Sequence, residues 1–239
     1  MSMENIYVYW LVVSIIMFVT FILFGVKICS RPLGILIDAQ NRMSLSRLQI
    51  VLWSWLLISA FFSIALAWRT LNIVMAPEIW ALMGISIAST TGAVIIKGTK
   101  AGQQADKPKL AARLNQLNPK IDPSNTQLTQ RLVQLQNSQN NLPEPVLQQN
   151  ISVKDAKLAN IIQGEEVTDY DHIDITKVQN LFFTVAMVIG YGCMLWSSSL
   201  NLTKDGIIFP SLSSSMVTLL GISHAGYLVS KAAPKTPTM

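Results

Sequence analysis

Five apolar runs set the limits on what this chain can fold into. They cover roughly Ile6 to Val26, Leu48 to Trp68, Ile79 to Ile96, Val178 to Leu200 and Leu212 to Ser230. Each approaches the length needed to cross a bilayer as a helix, about 20 residues. A segment in lipid must satisfy its own backbone hydrogen bonds, which leaves helices or a closed barrel. Runs without two-residue alternation select the helix. The chain is 51% hydrophobic and only 13% charged, which excludes an ordinary soluble domain. The expected fold class is therefore an all-α integral membrane protein with five transmembrane helices.

The last four runs read as two copies of one hairpin. Ser44-Leu45-Ser46-Arg47-Leu48-Gln49 precedes one run, and Asp174-Ile175-Thr176-Lys177-Val178-Gln179 precedes another. The hexamers match in class: polar cap, apolar, hydroxyl, cation, apolar, glutamine. Downstream, Pro77 leads to Leu82-Met83-Gly84-Ile85-Ser86 and Lys97. Pro210 leads to Leu219-Leu220-Gly221-Ile222-Ser223 and Lys231. Matches in the same order indicate an internal repeat. The expected organisation is a first helix (1–29), a hairpin with its lead-in (30–97), a Gln/Asn/Pro-rich segment (98–172), a second hairpin (173–231) and a tail (232–239).

Charge gives the orientation. The intervals 27–47, 97–177 and 231–235 hold 4, 10 and 2 Lys/Arg residues, while the remaining two, Arg69 and Lys204, follow the second and fourth runs. The positive-inside rule puts the cation-rich side in the cytoplasm, with the N-terminus outside and the C-terminus inside. Both hairpins then enter from the cytoplasm and are parallel repeats. Met1 to Asn5 carry no Lys or Arg, so the first run reads as a retained helix rather than a signal peptide. Tyr7, Tyr9 and Trp10 belt its entry. The net charge of +5 does not mark a nucleic-acid binder, because the cations flank apolar runs.

Helix packing is expected at Gly84, Ala88 and Gly92, four residues apart, and at Gly221 and Ala225. Small residues on one stripe let helices approach closely in lipid. Leucine at Gly84 or Gly221 is then expected to destabilise the fold or its oligomer. Gln49 and Gln179 are expected at the inner interface, hydrogen-bonded across helices. His224, at membrane depth, is the one candidate ionisable functional residue. A packing histidine remains the plainer account, since Ile87 takes its place in the first copy. Glu165, Glu166, Asp169, Asp171, His172 and Asp174 read as a solvated acidic turn with Asp174 capping the next helix. They lack the glycine and closing glutamate of a calcium loop.

Cys29 and Cys193 are expected as reduced thiols. No phosphate loop, paired Cys motif or nucleophile elbow is found, so neither catalytic residues nor cofactors are assigned. Residues 98–172 combine prolines with polar Gln-rich runs. They are expected to be largely flexible, with short amphipathic helices around Leu110–Leu117, Leu128–Leu135 and Val153–Ile162.

The repeated hydroxyl-cation-apolar-Gln pattern with its Gly-Ile-Ser helices resembles uncharacterised bacterial multi-pass membrane proteins. The second copy carries the fuller match, His224-Ala225-Gly226-Tyr227 to Lys231; the first has Thr90 where Tyr227 falls. The resemblance covers both hairpins and implies a bacterial inner (plasma) membrane location, with no activity attached. The expected function is a non-enzymatic membrane anchor or scaffold subunit. The expected partners are the lipid bilayer, a second copy or membrane partner protein, and a cytosolic partner docking on 98–172. A subunit of an oligomeric channel or transporter is the alternative.

Overall fold

The computed structural model describes residues 4–106, 108–109, 145–198, 207–236 and 238. Among them are five long helices: α1 (Glu4–Cys29), α2 (Leu45–Trp68), α3 (Pro77–Ala101), α4 (Ile175–Ser198) and α5 (Ser214–Ala232). Four stretches are long and apolar enough to cross a membrane: Ile6–Cys29, Leu45–Trp68, Pro77–Ala101 and Ile175–Ser197. The fifth helix, α5, has 19 residues and is not among these four.

Local chemistry explains the helix ends. Pro77 opens α3, where a missing backbone N–H costs nothing. The Ser213 hydroxyl accepts from Met216 N–H and caps α5. Arg69, in the left-handed region at φ 51°, closes α2 by donating its N–H to Ala65 O. Asp174 Oδ1 accepts from the Thr176 N–H at 3.0 Å and from the Thr176 hydroxyl at the start of α4, as its capping role requires.

The core lies between α2, α3, α4 and α5. Trp53, Leu57, Ala60 and Ile64 of α2 meet Ile79 and Leu82 of α3, Val188 and Tyr191 of α4, and Phe209 and Leu220 beside or on α5. The α2–α3 and α4–α5 connections touch through a short parallel pair, β1 (Ile73–Val74) with β2 (Ile207–Ile208), Ile73 opposite Ile207. Helix α1 packs along α2. Trp10 Nε1 donates to Ser59 Oγ at 3.0 Å, and Trp55 Nε1 donates to Ser14 O at 3.1 Å. Tyr7 donates to Trp196 O at 3.1 Å, which ties the start of α1 to the end of α4. The outer face of α1 leaves Val8, Leu11, Ile16, Leu23 and Phe24 exposed, an apolar surface of the kind that marks a membrane or protein contact.

Several expected equivalences do not hold in the packing. Gln49 is buried but Gln179 is exposed, and Arg47 is exposed but Lys177 is buried. The buried polar residues of α4 are Lys177, Asn180 and Thr184, and Asn180 lies one residue beyond Gln179, so the inward faces of α2 and α4 are offset by one residue from the hexamer match. In the Gly-Ile-Ser helices, a Cβ on Gly84 would meet nothing within 4 Å, and Ala88 and Ala225 are also exposed. Close approach is confined to Gly92, whose Cβ would lie 3.1 Å from Leu228 Cδ1, and Gly221, whose Cβ would lie 3.7 Å from Ile85 Cδ1. The small-residue stripe thus faces outward over most of its length.

A tighter approach occurs at the end of α1. A Cβ on Gly25 would fall 2.7 Å from Pro32 O and 2.9 Å from Gly34 N, so the chain leaving α1 folds directly back over its last turn. Ser30 takes a positive φ of 56° to make the reversal.

Candidate functional site: a lysine-carboxylate cap and a buried polar seam

The expected flexible segment is folded where it is described. Residues 145–174 make two short 3-10 turns, Val153–Asp155 and Leu158–Ile161, where one longer helix is expected. Val146 and Val167 are fully buried, and isolated bridges tie Leu147 to Glu166 and Gln163 to Ile173. The expected helices around Leu110–Leu117 and Leu128–Leu135 lie outside the described residues.

This segment seals one end of the bundle by charge. The acidic turn is not solvated: Glu165 and Glu166 side chains are only 13% and 3% exposed. Glu165 accepts from Lys177 Nζ at 2.8 Å, pairs with Lys231, and lies 3.4 Å from Lys97 Nζ. Three helix ends, those of α3, α4 and α5, therefore converge on one carboxylate. Burial alone would push the Glu165 pKa up. The charges of Lys177, Lys97 and Lys231 outweigh it and hold Glu165 well below the usual carboxylate range.

Glu166 completes the arrangement from the other side. It binds Lys100 Nζ at 2.6 Å through one oxygen. Through the other it accepts from the backbone N–H of Lys235 at 3.0 Å and of Thr236 at 2.5 Å. Lys100 also donates to Lys231 O and Ala233 O, which satisfies carbonyls left over at the end of α5. Lys235 binds Asp169 at 2.8 Å and Asp174 at 3.2 Å. Burial would lower the Lys235 pKa, but these carboxylates raise it. Asp174 shows the mirror case: burial would raise it, and Thr176 and Lys235 bring it below its ordinary value.

The lead-in to α2 joins the same cap. Asp38 pairs with Lys97, and Arg42 donates to Gly164 O at 2.7 Å. Arg31 donates to the carbonyls of Val153, Lys154 and Ala156. Asn41 and Asn150 exchange side chain-to-carbonyl bonds at 3.0 and 2.8 Å. The space left among Lys97, Lys100, Glu165, Glu166, Lys177 and Lys231 is a cavity of about 20 Å³, room for about one water. Among the described residues, no group of three His, Cys, Asp or Glu side chains is placed to hold a metal. The cations that these carboxylates meet are lysines.

A second polar feature runs inside the bundle. Gln49 Nε2 donates to Thr184 Oγ1 at 2.7 Å, linking α2 to α4, while Gln179 is exposed. Thr184 in turn donates to Asn180 O, and Ser223 Oγ donates to Asn180 Oδ1 at 3.3 Å, linking α4 to α5. Ser46 and Tyr227 hydroxyls meet at 3.0 Å. Beside these bonds lie buried polar atoms without partners: Gln49 Oε1, Asn180 Nδ2, Ser86 Oγ, Ser89 Oγ and both ring nitrogens of His224. His224 is 2% exposed, so both nitrogens are shut off from bulk solvent in the chain itself. Cys29 and Cys193 are free thiols.

Reading from sequence passed over Glu165 as a structural hub, and Asn180, Gly25 and Gly34 altogether. The signal for Glu165 was the count of lysines placed at helix ends, which need a counter-charge if those ends are covered. Comparison of the chain with protein-family models, curated protein sequences and solved structures gives no match.

Proposed function

We propose that this chain is a non-enzymatic scaffold subunit that sits in a bacterial inner membrane as a multi-pass protein. In this reading α1 to α5 all span, with the N-terminus outside and the capped end in the cytoplasm. The hydropathy of four helices and the exposed apolar face of α1 support membrane embedding. The cation-rich flanks support the orientation. Parallel pairing of the two outer connections fits two hairpins that run the same way through the membrane.

The observation that carries the scaffold reading is the cap. One buried carboxylate ties three helix ends, and the segment that bears it is fixed to α2's lead-in by further bonds. That is a rigid platform at the membrane surface. Its charges are consumed internally, which leaves its outer face suited to dock a cytosolic partner. A second reading, a channel or transporter subunit, draws on one observation: the unpartnered polar atoms around His224, Asn180 and Gln49, which water or a polar solute would satisfy.

Reconstituted liposomes separate the two. As a scaffold, the protein leaves proton and potassium flux at the level of protein-free vesicles. Flux above that level, lost in His224→Ala with the fold intact, would replace the scaffold reading with the second one.

A further inference from the structure

Between α1 and α2 lies an apolar groove of about 450 Å³, far larger than the roughly 30 Å³ share of a water molecule. Its walls are Ile15, Phe18 and Ile22 on one side and Leu48, Leu52 and Trp55 on the other. Pro32 to Leu36 close its inner end. Arg47 stands at that end: it is exposed, adjoins Leu48, and its guanidinium lies 3.5 Å from Ile35 O. The lining on α1 runs from Ser14 to Ile22, about 12 Å at 1.5 Å per residue. That is less than half of the roughly 30 Å hydrocarbon core, so the groove serves one leaflet.

We propose that this groove holds one acyl chain of an anionic phospholipid of the inner leaflet, with its headgroup against Arg47. The closed inner end decides between occupants. A spanning helix from a second subunit, about 10 Å across, would run into the turn at Pro32–Leu36. An acyl chain is thin enough to lie in the groove short of that turn, with its headgroup beside it at the level of the exposed Arg47. A phosphate beside Arg47 gains a charge-assisted bond that a neutral headgroup region lacks. Arg31, also near this end, is spent on three carbonyls of the cap, so Arg47 is the cation left for a lipid.

The inference rests on the membrane reading of α1 and α2, and alkaline carbonate extraction tests that reading separately. If the protein leaves the membrane fraction, the membrane reading fails whatever the lipid result. For the lipid itself, the full chain in mild detergent is exposed to phosphatidylglycerol or phosphatidylcholine with identical acyl chains and examined by native mass spectrometry. One retained lipid is expected, with phosphatidylglycerol favoured about fivefold, the worth of one cation near an anionic surface. Arg47→Gln removes the preference and keeps the chain; Lys27→Gln, an exposed cation outside the groove, changes neither. Val51→Trp fills the groove and abolishes retention of both lipids. Ile15→Trp, which fills it from the exposed wall, does the same and stands in if Val51→Trp fails to fold. Absence of retained lipid, equal retention of the two headgroups, or loss of a second copy rather than of lipid in the tryptophan variants would overturn the proposal.

Discussion

Glu165 shows how a residue that looks dispensable in sequence becomes indispensable in place. Each of its three lysines has left water to reach it, and a lysine left buried without a counter-charge costs far more than a surface ion pair gains. Glu165→Gln keeps the shape and removes the charge. It should destabilise the protein by about 3–5 kcal/mol, the range for breaking a buried pair, while Lys27→Gln on the exposed end of α1 should be neutral. Thermal denaturation in detergent reads both, and equal melting of Glu165→Gln and the parent would contradict the hub role. The pH response follows from the same shifts. Glu165 and Asp174 are held below their ordinary values, so their contribution is complete above the unfolded carboxylate range, about pH 4, and is lost as pH falls through the lower folded values. Lys235 is held above its ordinary value. Its contribution is complete below about pH 10 and is lost as pH rises through the higher folded value. Protection of the amides of residues 145–174, as exchange relative to the intrinsic rate at each pH, should therefore persist from neutral pH down to about pH 5 and fall in stronger acid.

At the scale of elements, the readable part was the apolar helix. Length and hydropathy locate all five helices, and Pro77 and Asp174 mark where two of them start. What periodicity does not reveal is which face turns inward. The Gly84–Ala88–Gly92 spacing has the form of a packing stripe, yet two of its members face outward, because the inward face of α3 is set by Ile79, Leu82, Ser86 and Ser89. A one-residue shift moves a helical face by 100°, so the hexamer match could align Gln49 with Gln179 and still miss Asn180. Glycine substitutions separate the two cases. Gly84→Leu should leave the monomer's stability unchanged. Gly25→Ala places a methyl group against backbone atoms of Pro32 and Gly34 that have no rotamer to escape through, and should cost about 1–3 kcal/mol as an overpacked site. The same detergent melts decide. Destabilisation by Gly84→Leu together with a smaller oligomer would show that the outward stripe packs against a second copy.

For the whole molecule, the cap makes topology a matter of mechanism. The ends of α3 and α5 and the start of α4 meet at Glu165, so the segment bearing it and the C-terminal tail must lie on one side of any membrane the helices cross. Thr236, four residues after the end of α5, is held by Glu166 and by Thr168. This coupling was not legible from cation counts alone, which assign sides to loops one at a time and say nothing of loops binding each other. It makes the orientation testable at two points that an intact cap holds on one side. Reporter fusions inserted after Gln139 and appended after Met239 should both report cytoplasm, as the excess of lysine and arginine on that side requires. Both reporting the opposite side would invert the orientation and leave the cap intact. One on each side would place α5 outside the membrane or break the cap, because five crossing helices bring the two points together only if α5 crosses. That outcome is the sharper one, since α5 is the helix whose apolar length falls outside the four clear spans. Its buried face carries Ser223, His224, Tyr227 and Lys231, so it enters the bundle through polar contacts that α2, α3 and α4 surround. A helix with that face crosses a membrane only in company. Asn180→Leu removes the Asn180–Ser223 contact and should therefore loosen α5 in the bundle, read as a lower melting temperature in detergent, while both reporters stay in the cytoplasm because Glu165 and Glu166 still hold the end of α5 and the tail.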